Sequence, residues 1–456
     1  MNMKTKSFAI LFLLLLTCVA KVSHSGETNT PGKHNFPAPS DDSQQPLSYF
    51  NVYRGNSHSH TIFTWTHGEH REKGISDLTQ PTEFHPDWKV PPGVDWRDHL
   101  SISLDPKGYT NRQGLPDNHF EVAIKNGYEF YAITDHTQEP PLSPVSPENR
   151  AWKATLKAAE KYNKLPGFVA IAGFEYSRNT KANGGNGHIN VLNSTEYVNA
   201  DHGQRGPVPD WPEANWSIPQ FYDWVKTAQP HGGKGTVVVG FNHPGIDQYN
   251  DWAHFDEEIA ALISTFELHT NYKRSRWDAY IRALNKGWKV SPIGVHDNHG
   301  FYQINKKELY PPTLVLAPEL TLEAITHAMR ERRTFASWNE GVVLKYAVNG
   351  FIMGSQLKDA EEFKFNIEIA TLASKPNERV RKVEIVKNDP NGSDKAVVVA
   401  EKLFGGDDDE IKWNPVVKDA DAKYFLLRVF HANDMLDDGS FKNLASTVSA
   451  PVWTGR

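Results

Sequence analysis

Histidine, aspartate and glutamate recur in seven short patches of this chain, and six of them sit at one or other end of an apolar run that reads as a strand. They are His58-Ser59-His60, Asp135-His136 after Phe130–Thr134, Glu175 after Val169–Phe174, and His188 within Gly187–Val191. The others are His243 after Val237–Asn242, Glu267-Leu268-His269 after Leu262–Phe266, and Asp297-Asn298-His299 after Val290–Val295. Imidazole and carboxylate placed repeatedly at strand ends are what a centre of several metal ions needs. This mixture of nitrogen and oxygen donors suits first-row divalent cations without selecting one. Such ions make a nucleophile of water near neutral pH, so the chemistry expected is metal-assisted hydrolysis.

The patches differ in what each says alone. His58 and His60 lie two apart on a strand, so both rings point to one face, and Asp297 and His299 repeat that geometry. Among 20 histidines such a spacing also arises by chance, so the ordered combination carries the argument. Glu175 after an apolar run would be costly to bury unpaired, and a metal or an arginine is expected beside it. Asp135 reads as the partner that orients His136 or a water, and as a candidate proton carrier. Arg178 is a candidate grip for an anionic substrate group, or else a surface ion pair. His269 is either a further ligand or a hydrogen-bonded buried histidine, and His296 should face away from Asp297 and serve structure.

Elements must bring these groups together. From Ser48 to about Ser337 short apolar runs alternate with amphipathic stretches, and helices are predicted at Asn149–Tyr162, Ser217–Ala228, Lys273–Asn285 and Thr321–Arg332. Strand and helix in alternation predict an α/β fold with a parallel sheet, closed as a barrel with its reactive groups at the C-terminal strand ends. The pattern changes after Asn339-Glu340-Gly341. Val342–Val348, Phe363–Ala370, Val380–Val386, Ala396–Ala400 and Tyr424–Phe430 are strand-like and separated by turn residues, which predicts a small antiparallel β-sandwich. The expected division is thus a barrel over 46–340 and a sandwich over 341–456. Trp65–Asn118 reads as an insertion over the barrel mouth, and Asn179–Gly187 as a mobile loop ahead of His188. Asp407–Glu410 reads as a solvated acidic turn, with a cation site as its alternative.

The whole chain sets limits. Its 456 residues suggest two or three domains, and 39% hydrophobic with 23% charged residues fits a folded protein with a substantial core. A formal charge of -6 argues against nucleic-acid binding but not against phosphate substrates, because bound cations invert the local field. Lys4 and Lys6 precede the apolar run Phe8–Leu16, with small and polar residues through Ser25, so 1–25 is expected to be a signal peptide. Residues 26–45 read as a disordered arm or tether. Cys18 is the one cysteine, and removal of the leader beyond it would leave no thiol. Leu15-Leu16-Thr17-Cys18 loosely resembles a bacterial lipoprotein box, making Cys18 a candidate lipid anchor. The expected location is exported, either periplasmic or secreted, with an outer-membrane lipoprotein as the anchored form. No other stretch is long and apolar enough to cross a membrane.

Taken in order, His58-x-His60, Thr134-Asp135-His136, Gly173-Phe174-Glu175, Gly187-His188, Asn242-His243-Pro244 and Asp297-Asn298-His299 resemble the motifs of the PHP (polymerase and histidinol phosphatase) superfamily. The resemblance runs from about Tyr49 to Phe335 and is greatest to its secreted, carbaryl-hydrolase-like branch. Thr447–Trp453 resembles the end of that branch's appended sandwich. The resemblance implies a distorted (β/α)7 barrel holding two or three divalent ions, commonly zinc, manganese or iron. It also implies that His58, His60, Glu175 and Asp297 serve one ion. Glu175 would bridge to a second ion held by His188 and His243, and His136 and His299 would hold a third. The family usually adds an Asp or His seven or eight residues after its first ligand. Trp65 and Thr66 stand there, so either His67 takes that role through a shifted loop or the third ion is held more weakly.

The leading function is an exported metal-dependent hydrolase of phosphomonoesters or phosphodiesters, with a small-molecule or glycan-linked ester as substrate. A rival keeps the site and changes the bond to a carbamate, carboxylic ester or amide, which an aromatic pocket of Trp65, Trp88 and Trp96 would favour. An amidohydrolase-type barrel also opens on His-x-His but usually ends on a lone Asp. A non-catalytic glycan-binding surface protein would draw on the 13 Trp and 16 Tyr, and would be expected to lack ligands that this chain retains. There is no Gly-x-Ser-x-Gly elbow, and Gly232–Thr236 lacks the spacing of a phosphate loop.

Overall fold

Parallel strands joined to antiparallel returns build one large sheet. The computed structural model describes residues 42–61, 63–64, 114–137, 150–177, 187–200, 217–271, 274–305, 310–358 and 360–455. The leader, most of the arm, His67, Trp65–Gln113 and Arg178–Asn186 lie outside the described residues. Asp42–Gln45, assigned to the arm on sequence grounds, belong to the folded body: Asp42 makes a two-pronged ion pair with the buried Arg333 at 2.6 and 2.7 Å.

In chain order the elements begin with β1 (Asn51–Asn56), α1 (Pro116–Lys125), β2 (Phe130–His136), α2 (Arg150–Tyr162), β3 (Val169–Ser177) and β4 (His188–Leu192). Next come α3 (Ile218–Val225), β5 (Val238–Asn242), α4 (Glu257–Leu262), β6 (Ile263–Thr270), β7 (Arg274–Ser275), α5 (Trp277–Asn285) and β8 (Ser291–Gly294). β9 (Thr313–Ala317), α6 (Leu322–Arg330) and β10 (Thr334–Ser337) complete this part. Every residue of β2 and β3 is buried, as an apolar run covered on both faces should be. Caps start the helices where polar residues precede apolar spacing. Ser217 accepts the Gln220 N–H and Thr321 the Ala324 N–H, so α3 and α6 each begin one residue after the expected start. α5 starts later than expected because Arg274 and Ser275 pair back onto Thr270 and His269. α1 was not anticipated, although Pro116 at its first turn and Asn126-Gly127 at its end mark it.

The sheet runs β10-β9-β1-β2-β3-β4-β5-β6, with β8 also on β6. β1–β2–β3 and β5–β6–β8 are parallel, whereas β3–β4–β5 and β1–β9–β10 are antiparallel. The parallel sheet expected from the sequence is therefore interrupted by antiparallel pairs. The short link between Ser177 and His188 gives the physical reason, since a parallel return needs a crossover of a dozen residues or more. The single Thr334 hydroxyl proton is shared between Ser291 Oγ and the Pro292 carbonyl, 2.7 and 3.0 Å away, tying β10 to β8.

Beyond residue 340 the described chain is strand and short 3-10 turn, with no α-helix. β11 (Val343–Val348), β12 (Phe351–Ile352), β13 (Glu362–Ala370), β16 (Glu410–Trp413) and β17 (Val416–Lys418) form a second sheet. β14 (Val380–Asn388), β15 (Ala396–Leu403), β18 (Tyr424–His431), β19 (Thr447–Ser449) and β20 (Val452–Trp453) join the large sheet through β10–β19 pairing. One apolar cluster unites Leu344, Phe363 and Phe425 from this half with Phe50, Leu316 and Phe335 from the other. Among the described residues no helix is long and apolar enough to cross a membrane.

Candidate metal centre

The carbonyl ends of the central strands converge. Past β1 the chain continues between its neighbours: Thr134 N–H donates to Ser59 O, His60 N–H to Asn298 O, and Asp297 N–H to His58 O, all at 2.8–3.0 Å. These bonds lock the His58-x-His60 and Asp297-x-His299 segments side by side. His243 and Asp297 have φ of 29° and 49°, left-handed backbone that non-glycine residues adopt only when the surroundings impose it.

Eight of the expected ligands meet here. His58 Nε2 lies 2.9 Å from His60 Nε2, and Asp297 Oδ1 lies 3.5 and 3.3 Å from the two. Glu175 sits at the centre, with His136 Nδ1 at 2.8 Å, His188 Nδ1 at 3.0 Å, and the Nε2 atoms of His58 and His243 each at 3.5 Å. The His60 ring stacks on His136 and His299 at 4.4 and 4.3 Å. Three sets of donor atoms fall within 4.8 Å of one another: His58, His60 and Asp297; His60, His136 and His299; His136, Glu175 and His188. The last two sets divide the donors differently from the partition that the resemblance implies. His269 joins none of them; it is buried and stacks on Trp338 at 5.4 Å. His296 faces away, with Nε2 3.0 Å from the Tyr128 hydroxyl.

A further set of residues orients these donors. Glu267 takes the His58 Nδ1 proton at 2.7 Å and the His243 N–H at 2.7 Å. Asn242 Nδ2 donates to Glu175 Oε1 at 2.7 Å, and the Ser177 hydroxyl touches His136 Nδ1. Asp135 accepts from Thr61 N–H, Thr61 Oγ1 and Thr64 Oγ1 at 2.6–2.8 Å, so it acts on the site through that turn. Thr64 Oγ1 spends its own proton on Asp135 and lies 3.3 Å from His60 Nδ1, which donates to it. Sequence reasoning included Glu267 in a patch without giving it a role and missed Thr61, Thr64 and Ser177. Half-buried Arg276 was also missed; burial, then Arg274, lowers its pKa, while Glu267 and Asp297 act against this. Its Nε makes no hydrogen bond.

Electrostatics follow from the crowding. Burial would lower His58, but Glu267, Glu175 and Asp297 outweigh it and hold the imidazole well above its usual range. Burial would raise Glu175, yet His136, His188 and His58 hold it well below. Burial lowers His188 and Glu175 only partly offsets it. Asp135 is pushed up to about 6 by burial, against the hydrogen bonds from Thr61 and Thr64.

This donor set fits divalent cations. With His58 Nδ1 turned to Glu267 and His60 Nδ1 to Thr64, both Nε2 atoms point inward 2.9 Å apart, where a cation could take both lone pairs in place of the proton that the surrounding carboxylates favour on His58. Ligand atoms on one tetrahedral ion at ~2 Å lie roughly 3.3 Å apart. The separations among His58, His60, Glu175 and Asp297, 2.9–3.6 Å, agree.

A family of proteins of unknown function (DUF3604) matches residues 134–245, a stretch that holds Asp135, His136, Glu175, His188 and His243. An uncharacterised protein of Chlamydia pneumoniae is 21% identical over 249 residues, 52% of this chain and 38% of that protein. This chain thus spans well under half the length of that relative. A solved two-domain protein of Bacteroides vulgatus, described as containing a predicted PHP-like metal-dependent phosphoesterase, is similar with a TM-score of 0.41 and 16% identity. That similarity covers 89% of this chain and 96% of the other.

Proposed function

We propose that this protein is an exported metal-dependent hydrolase of PHP type, acting on phosphomonoesters or phosphodiesters. The observation that carries the reading is the convergence of His58 and His60 Nε2, 2.9 Å apart, on the Glu175 and Asp297 carboxylates at 3.3–3.6 Å. His58, His60, Asp297, Glu175, His136, His188, His243 and His299 would hold two or three divalent ions, with zinc, manganese and iron as the candidates. Such ions supply an activated water and polarise the ester oxygen. The chain's own part is to aim donors and exclude bulk solvent. Glu267 keeps the His58 tautomer with Nε2 turned inward, and Asp135 fixes the Thr61–Thr64 turn that serves His60 and His136. Arg276, whose Nε is uncommitted, offers a cation to an anionic substrate group. Export is supported by the basic start and apolar run of residues 1–25, and the return of β10 to β8 supports a closed barrel.

The test joins elemental analysis of the purified protein to a hydrolysis screen. Nitrophenyl phosphate and bis-nitrophenyl phosphate are compared with nitrophenyl and naphthyl esters and carbamates. More than one equivalent of divalent metal is expected, with phosphoester turnover lost after chelation and restored by metal. Turnover of carbamates or carboxylic esters with phosphate esters untouched would move the assignment to that chemistry. A metal-free protein of undiminished activity would end it.

A further inference from the structure

A second cavity, of about 460 Å3, opens where the end of β6 and the residues after β10 meet the turns around Glu378 and Asp434. Three buried side chains on its wall carry polar atoms without a well-formed hydrogen bond: both ring nitrogens of His269, Nδ2 of Asn339 and Oε2 of Glu378. They are 1%, 2% and 8% exposed, and such groups in native proteins are nearly always satisfied. The Ser446 and Leu268 backbones approach His269 without completing a bond of good geometry.

The chemistry of the wall selects a ligand. Lys375 is engaged with carboxylates, holding Glu340 and Glu378 Oε1 at 2.9 and 3.3 Å, and Lys442 donates one of its three protons to the Asn433 carbonyl at 2.6 Å. Asp434 accepts from the His431 and Ser446 backbones. Three carboxylates, Glu340, Glu378 and Asp434, stand on the wall against the two lysines, a balance that disfavours an anion. What remains is an amide N–H donor, a carboxylate oxygen acceptor, and an imidazole kept neutral by burial, with one donor and one acceptor. Beside them stands Trp338, its indole stacked on His269. Alternating donors and acceptors next to an indole complement a ring that has an apolar face and a rim of hydroxyls.

We propose that this cavity binds a neutral saccharide, with a pyranose ring against Trp338 and its hydroxyls bonded to Asn339, Glu378 and His269. The site uses none of the metal-centre donors, so it stands or falls apart from the hydrolase reading. Saturation-transfer NMR and calorimetry on the full chain would use glucose, galactose, N-acetylglucosamine, maltose and cellobiose as probes, with inorganic phosphate as the anionic control. At least one saccharide should bind tighter than about 10 mM, and Trp338→Ala and Glu378→Gln should each weaken it about tenfold or more. Glu378→Gln keeps shape and volume, so a folding defect of the tryptophan variant leaves the test intact. Metal content should not change in either. Absence of saccharide binding, equal binding by both folded variants, or phosphate binding lost in these same variants would overturn the site.

Discussion

At Glu175 a carboxylate that burial alone would neutralise stays ionised because His136, His188 and His58 surround it. The same exchange holds His58 protonatable, so acid and base in this pocket keep each other charged in the absence of a cation. A cation takes over that role by accepting the imidazole lone pairs while leaving the carboxylates ionised. Glu267 decides which nitrogen of His58 faces inward. Glu267→Gln should therefore weaken divalent metal binding about 10–100-fold, the usual cost of losing a carboxylate behind a ligating histidine. Competition titration against a chromogenic chelator measures this, and unchanged affinity would remove Glu267 from the site's support.

The strands make the pocket by close approach as much as by direction. Gly173 precedes Phe174-Glu175 on β3, and a methyl group there would stand 2.7 Å from the Val191 carbonyl and 2.8 Å from the Leu192 side chain on β4. That contact brings His188 to Glu175 across the β3–β4 pair. Gly173→Ala should cost about 1–3 kcal/mol, because the clash is with backbone that cannot rotate away. The urea midpoint reads the loss, and a variant as stable as the parent would show that the two strands part easily.

Across the whole molecule, two sheets and a shared core hold several imidazoles away from water. Burial brings His269 down to about 4 and lowers His431, which bonds to Glu378 O and Thr447 Oγ1. An imidazole that ionises near 6.5 when unfolded but near 4 when folded lets the unfolded chain bind more protons between those values. Its contribution is full above pH 6.5, falls as pH drops towards 4, and is flat below. For His269 the slope within that window is about 1.4 kcal/mol per pH unit, and the total is on the order of 3 kcal/mol. His269→Gln should flatten the pH dependence of unfolding by that amount, measured by urea titration from pH 7.5 to 4.5. Equal slopes in parent and variant would show that His269 titrates normally in the folded protein.

The sequence by itself determined which donors exist, their order, and the strands and caps that carry them. Strand runs ending in His136, Glu175 and His243, and the capping hydroxyls of Ser217 and Thr321, depend on neighbours a few residues away, and local patterning records them. Tertiary structure alone decided how those pieces face one another. Glu267 and His269 are two apart and should share a face, but a bulge between them against β8 turns Glu267 to His58 and His269 to Trp338. Likewise β4 runs antiparallel, Asp135 reaches Thr61 and Thr64 rather than the His136 ring, and β19 carries the large sheet past residue 340. Each of these outcomes is a pairing between segments distant in the chain. Its energy depends on which partner packing delivers, and no local pattern encodes that.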